Sequence, residues 1–292
     1  MKKLRSILVT TDFSAASRPA FRKAVGLAAE SGARLWIAHA LPSLPWNSAP
    51  RMYEEMEADI RSDAERRLSA LTRAARAAGA RAEPLLLRDP AHEAIRRAAR
   101  AHRADLVVVG THGRTGLARV FVGSIAARVL ATAPCPVLSV RRGGGKSSVR
   151  RLLFATDFSE ASAPAWKEAL ALARANRARL RIVHVEAALA LGQGARWAYA
   201  EAEAEGRADA RRRLQALVAG ARRAGIRAEF RLARGSAHEA IVREARSMKD
   251  AWIVVGTHGR TGLSGALLGS VAARVVATAP CPVLTVRSAK RS

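Results

Sequence analysis

Only two cysteines occur in the 292 residues, Cys135 and Cys281, and each sits in the same Ala-Pro-Cys-Pro-Val-Leu setting. A disulfide framework is excluded on that count, and the natural reading is a reduced, cytoplasmic protein. There is no Cys-x-x-Cys pair and no histidine cluster, so a four-ligand metal site has nothing to draw on. No stretch reaches the ~20 consecutive apolar residues of a membrane span. The opening Met1-Lys2-Lys3-Leu4-Arg5 leads straight into Ile7-Leu8-Val9, without the apolar stretch or cleavage site of a signal peptide. No membrane partner is expected. Aromatic residues make up 4% of the chain, too few to interleave with basic residues as stacking platforms for single strands.

Acidic residues are scarce as well: 24 against 50 basic ones, a net charge of +26. Such an excess invites a nucleic-acid reading. Its distribution argues against a dedicated binding arm. Residues 1–145 carry 24 basic and 12 acidic side chains, net +12, which leaves +14 for the rest. Seven of the basic residues are Lys and the remainder Arg, scattered among Ala and Glu, as in Arg96-Arg97-Ala98-Ala99-Arg100. Weak, salt-sensitive attraction to polyanions follows from the charge alone. Nucleic acid is not expected as a specific partner.

What the chain does contain is one unit written twice. Ile7-Leu8-Val9-Thr10-Thr11-Asp12-Phe13-Ser14 matches residues 152–159, Leu-Leu-Phe-Ala-Thr-Asp-Phe-Ser. Ala91-His92-Glu93-Ala94-Ile95 matches Ala237-His238-Glu239-Ala240-Ile241, and Gly110 to Leu117 matches Gly256 to Leu263 without a change. A period of 145–146 residues means duplicated domains rather than a solenoid. The expected boundaries are a first domain over 1–142, a flexible Gly/Ser-containing linker over 143–149 and a second domain over 150–292.

Within one half, strand and helix signals alternate. Strands are expected at Ser6–Thr10, Arg34–Ala40, Ala82–Leu87, Asp105–Val109 and Val137–Val140. Helices are expected from Ala15 to Glu30 with Ser14 as N-cap and Gly32 as stop, from Tyr53 to Ala78, from Ala91 to His102, and from Ser124 onward. The unbroken apolar runs Ile7–Val9 and Leu106–Val109 read as strands buried on both faces. Alternation of this kind predicts an α/β fold with a parallel sheet and right-handed crossovers in each half.

Each fourth strand is followed by Gly-x-x-Gly-x9-Gly-Ser: Gly110, Gly113, Gly123 and Ser124, then Gly256, Gly259, Gly269 and Ser270. Glycines let the backbone approach an anion, and the free N–H groups of the helix that follows point toward it. The spacing is neither that of a Walker loop nor that of a Gly-x-Gly-x-x-Gly dinucleotide loop. In an open parallel sheet, ligands lie beyond the carboxyl ends of the strands, where the strand order reverses. Asp12 and Asp157 close the first strand of each half, so carboxylate and glycine loop share one crevice if those strands are neighbours. Loop amides and the Ser124 hydroxyl then suit phosphates, Asp12 a ribose hydroxyl or a metal, and Arg114 the phosphate charge. His112 and His258 lack a partner acid or nucleophile and are not assigned catalysis. His39 and His184 are read as structural, His92 and His238 as surface or capping residues, the cysteines as small buried residues. Trp46 and Trp197 lie in or near the segment after the second strand, as lid or as core.

Over essentially its whole length the chain resembles a tandem member of the universal stress protein family. The resemblance rests on the Thr-Asp-Phe-Ser opening, the Gly-Thr-His-Gly-Arg loop with its Gly-Ser partner, and the Cys-Pro-Val-Leu final strand. It implies two five-stranded parallel sheets of order 3-2-1-4-5 with helices on both faces, of the adenine nucleotide alpha hydrolase-like kind. It implies ATP as the cofactor, with Mg2+ as a candidate companion and no further metal. The implied nucleotide-binding residues are Thr11, Asp12, Ala40, Gly110, Gly113, Arg114, Gly123 and Ser124 in the first half. In the second they are Thr156, Asp157, Val185, Gly256, Gly259, Arg260, Gly269 and Ser270. Ala40 and Val185 represent the end of the second strand, beside the adenine. Family members often dimerise through their final strands; here the two halves can supply both partners within one chain, with a homodimer as a further option. The function implied is a nucleotide-dependent stress-response regulator, at most a slow ATPase. The alternatives are an enzyme on the same fold that hydrolyses ATP or transfers adenylyl groups, and a basic nucleic-acid-associated protein.

Overall fold

The computed structural model describes residues 4–42, 50–88, 90–111, 122–141, 149–186, 196–259 and 268–288. By its internal contacts the chain divides into two compact units, with the division between residues 147 and 148. Most of the expected linker, 143–148, lies outside the described residues.

In the first unit β1 (Ser6–Thr10) is followed by α1 (Arg18–Ser31), β2 (Arg34–Ala40), α2 (Pro50–Ala77) and β3 (Arg81–Leu87). Then come α3 (Ala91–Ala101), β4 (Leu106–Gly110), α4 (Ser124–Thr132) and β5 (Val137–Val140). Every strand pairing is parallel, in the order β3-β2-β1-β4-β5. The order reverses between β1 and β4, whose register aligns Ile7 with Leu106 and Val9 with Val108. Ile7, Leu8 and Val9 are all 0% exposed. Successive strand residues point to opposite faces, so a run with no exposed member is covered on both.

The second unit repeats the scheme. Its elements are β6 (Arg151–Ala155), α5 (Ala163–Ala175), β7 (Arg179–Glu186), α6 (Arg196–Arg223) and β8 (Ala228–Arg234). They continue with α7 (Ala237–Ser247), β9 (Ala251–Gly256), α8 (Ser270–Thr278) and β10 (Val283–Val286). The parallel order is β8-β7-β6-β9-β10. Here Phe154, 0% exposed and 5.3 Å from the Trp166 ring, fills the place that Val9 holds in the first unit. The 3-2-1-4-5 order of each sheet is as expected.

The helices show why the sequence folds this way. In α3, Ala94, Ile95, Ala98 and Ala99 are buried while Arg97 and Arg100 are exposed, an apolar stripe at helical spacing. Gly32 at φ 70 ends α1 in the left-handed region that glycine adopts at little cost. The start of α1 corrects the sequence reading. Its first helical residue is Arg18, and its N-cap position is Ser17, not Ser14. Ser14 belongs to a separate turn: it donates its N–H and Oγ–H to Asp12 Oδ1, and its Oγ and carbonyl accept the Ser17 N–H at 3.3 and 3.2 Å. Among the described residues no helix is long and apolar enough to cross a membrane.

Candidate functional site

The site lies at the carboxyl edge of β1 and β4, and it is built from a turn that the two units share. Thr11, the residue after β1, donates its N–H to the Ala38 carbonyl at 2.9 Å, which extends the parallel ladder by one step. Its Oγ1 accepts from Phe13 N–H at 3.0 Å and lies 3.1 Å from Ser17 Oγ. His39 Nδ1 donates to the Thr11 carbonyl at 2.8 Å, which locks the turn to the end of β2. Phe13 takes φ 62, a left-handed conformation rare for a bulky residue, and its ring stacks 4.2 Å from the His39 ring.

This turn presents Asp12. Its Oδ1 accepts Ser14 Oγ–H at 2.6 Å and Ser14 N–H at 3.0 Å. Burial disfavours the charge, but these hydrogen bonds and one from Ser17 outweigh it and hold the Asp12 carboxyl below its ordinary value. Asp12 therefore stands ionised at the mouth of the crevice at neutral pH. The second unit reproduces the turn. Asp157 Oδ1 accepts Ser159 Oγ–H at 2.6 Å and Ser159 N–H at 3.0 Å. His184 Nδ1 donates to the Thr156 carbonyl at 2.8 Å, and Phe158 takes φ 61.

The glycines fit this turn by their lack of a side chain. A Cβ on Gly110 would stand 3.2 Å from the Ala16 carbonyl oxygen and 3.3 Å from Ser17 Cα; one on Gly256 would stand 3.3 Å from the Ala161 oxygen. Each β4-type strand thus ends against the turn that follows its β1-type neighbour. On Gly259 a Cβ would come within 2.8 Å of Asp157 Oδ2, and on Gly269 within 2.9 Å of the Thr257 carbonyl oxygen. The structure therefore brings Asp157, Gly256, Gly259 and Gly269 into one crevice, and it packs Gly110 against the turn after Asp12.

Gly123 N–H donates to the Thr111 carbonyl at 3.0 Å and Gly269 N–H to the Thr257 carbonyl at 2.9 Å. Each glycine is the N-cap of the next helix and supplies no side-chain cap. The amides of Ser124, Ile125 and Ala126, and of Ser270, Val271 and Ala272, are left without an intrahelical acceptor. Ser124 and Ser270 are exposed at these ends. Ala40 ends β2, whereas Val185 is one residue short of the end of β7, which runs to Glu186. Gly113, Arg114, His112 and Arg260 lie outside the described residues, as do Trp46 and the side chain of Trp197.

The sequence reading gave little weight to His258. Its Nδ1 lies 2.9 Å from Thr257 Oγ1, while its Nε2 is buried with no hydrogen-bond partner among the described residues. A buried polar atom left in that state costs about 1–3 kcal/mol. The signal for it was the repetition of Thr-His in both glycine loops. Among the described residues no three histidine, cysteine or acidic groups come together to hold a metal ion.

The universal stress protein family matches the chain twice, over residues 3–141 and 148–287. The chain belongs to that family. A universal stress protein of Thermus aquaticus is 36% identical over 138 residues, 47% of this chain and 98% of the relative. One of Methanocaldococcus jannaschii is 30% identical over 141 residues, 47% of this chain and 82% of the relative. The crystal structure of a universal stress protein from Archaeoglobus fulgidus superposes with a TM-score of 0.71 over 98% of this chain and 99% of its own. At 21% identity that likeness speaks for the fold.

Proposed function

We propose that each unit of this universal stress protein binds ATP at the carboxyl edge of its sheet, and that the chain acts as a nucleotide-dependent regulator rather than as an efficient enzyme. The observation that carries this reading is the approach of the glycine loop to the carboxylate, where a Cβ on Gly259 would stand 2.8 Å from Asp157 Oδ2. On Gly269 a Cβ would stand 2.9 Å from the Thr257 backbone oxygen, which cannot swing aside, so the loop closes on the crevice only without a side chain and leaves its backbone amides open to an anion. The uncapped amides of α4 and α8 are donors in want of an acceptor, and the buried His258 Nε2 is a further polar atom that a ligand would satisfy.

In this reading the loop amides with Ser124 and Ser270 hold the phosphates, and Asp12 and Asp157 accept from the ribose. The ends of β2 and β7, near Ala40 and Val185, flank the base. Arg114 and Arg260 offset phosphate charge, and Mg2+ bound to the phosphates would lower their repulsion. Neither unit presents, among the described residues, a histidine paired with a carboxylate at the crevice that would activate water. Binding then works by favouring one conformation over another.

Titration calorimetry of ATP with Mg2+ into nucleotide-stripped protein tests the proposal. The expected result is saturable binding of up to two nucleotides per chain that persists at about 0.5 M salt, where non-specific attraction to this cationic chain is screened. Heat that vanishes with salt would overturn it.

A further inference from the structure

The amino edge of the second unit holds a feature for which the nucleotide site has no use. A cavity of about 930 Å³ opens where β6, β7 and β8 begin and α5 and α6 end. That is within the ~300–1,000 Å³ typical of small-ligand sites. Its floor is formed by the buried residues Val149, Ala173, Ala178 and Ile226. Around them stand six arginines, Arg150, Arg151, Arg174, Arg177, Arg179 and Arg227, and no acidic residue lines the cavity. Among the described residues none of the six forms an ion pair; Arg151 Nη1 donates to the Lys249 carbonyl at 2.9 Å. The carboxyl ends of α5 and α6 supply ~0.5 of a negative charge each, which leaves most of the six uncompensated.

The first unit shows that the fold does not require this. In register, the six positions correspond to Arg5, Ser6, Ala29, Gly32, Arg34 and Arg81. Three of the cations are gone. Arg34 is paired with Glu83 at 3.5 Å, and Asp105 Oδ2 accepts from the amides of Arg5 and Ser6 at 2.8 and 3.1 Å. The position of Asp105 is taken by Ala251 in the second unit. Arg177 even holds the left-handed conformation, φ 49, of the helix-ending Gly32, where glycine is the residue of least strain.

We infer that this basin binds a compact oligophosphate, a small anion with two or more linked phosphate groups. Guanidinium forks match phosphate oxygens two at a time, and six arginines line this one concave space. Like charges gathered in a cavity raise its potential until an anion enters. A concave basin with an apolar floor suits a compact ligand, whereas a nucleic-acid duplex would need a long basic stripe. The phosphates can belong to a free inorganic chain or to the tail of a nucleotide; the recognition chemistry is the same.

The test is calorimetric titration of tripolyphosphate into the full chain carrying Gly123→Val and Gly269→Val, which removes the carboxyl-edge sites from the reading. One saturable site per chain is expected, with orthophosphate at equal ionic strength much weaker. Arg174→Ala with Arg177→Gly, which restores the first-unit residues at exposed positions, should weaken binding at least about tenfold. Arg227→Ala, independent of the α5 terminus, should also weaken it. ATP binding in this background as tightly as tripolyphosphate would assign the ligand to nucleotides, and tripolyphosphate alone to an inorganic chain; both uphold the basin. Affinity unchanged in both arginine variants, orthophosphate equal to tripolyphosphate, or duplex DNA displacing tripolyphosphate more tightly than it binds would each overturn the assignment. Failure here leaves the nucleotide proposal standing, since that is read on the protein with its glycines intact.

Discussion

Asp12 and Asp157 accept the same two hydrogen bonds, at 2.6 and 3.0 Å, from a serine two residues on. At the opposite edge of the sheets the units part: Asp105 and the Arg34–Glu83 pair in the first stand against six arginines around an acid-free cavity in the second. Two copies of one fold have kept the carboxyl edge and let the amino edge diverge. Strand ends where the order reverses are constrained by what must converge there, while the other edge is free to take a second role.

The largest effect that would sharpen this comparison lies in the cores. Phe154→Ala should destabilise the second unit by about 3–5 kcal/mol, and Val9→Ala should cost the first unit clearly less, because fewer buried atoms are removed. Denaturant unfolding followed by the five tryptophans reads both; equal losses would mean the two cores are packed alike despite the exchange.

Next come the glycine loops. Gly269→Val forces a side chain against the Thr257 carbonyl, 2.9 Å from the Cβ position, and should remove one bound ATP per chain while leaving the other. Gly123→Val should do the reverse. The sites left in the two variants are expected to differ in affinity, since the sequence Ala-Arg-Val-Phe-Val at 118–122 of the first unit is replaced by Ser-Gly-Ala-Leu-Leu at the equivalent positions 264–268 of the second. Identical dissociation constants in the two would count against unequal sites.

A smaller effect concerns pH. The folded Asp12 carboxyl lies below 3.8, its ordinary value, so its contribution to stability is present above that pH and is lost as pH falls through the folded value. The stability gap between the wild type and Asp12→Asn should therefore shrink on acidification below 3.8. A gap that widens would reverse the sign of the argument.

The smallest difference is expected at the cysteines, where the units should agree. Burial pushes both the Cys135 and the Cys281 thiol up to about 12. At pH 8 roughly one thiol in ten thousand is then ionised, so alkylation of the native protein should be equally slow at both. Rapid labelling of one alone would break the equivalence.

Much of this was legible in the residues. The runs Ile7–Val9 and Leu106–Val109 announced strands buried on both faces, and Gly32 announced the end of α1. The start of α1 lies later than the sequence suggests: Ser14 Oγ donates to Asp12 Oδ1 and accepts the Ser17 N–H at 3.3 Å, so it closes a local turn before the helix, and only the folded turn shows that the helix itself begins at Arg18 rather than Ala15. Val185 was placed at a strand end that extends to Glu186, where ladder pairing with Arg234 adds a residue that local propensity does not reveal.

The sequence alone determined the duplication, which is residue identity repeated at a fixed period, and the alternation of strand and helix and the spacing of glycines and serine, which depend on neighbours within one segment. Tertiary structure decided what converges. Asp157 meets Gly259 across about a hundred residues because β6 and β9 are adjacent in the sheet. Arg150, Arg177 and Arg227 surround one cavity because three parallel strands begin side by side. In the sequence those arginines are indistinguishable from the other basic residues scattered along the chain; only the parallel register gives them a common space.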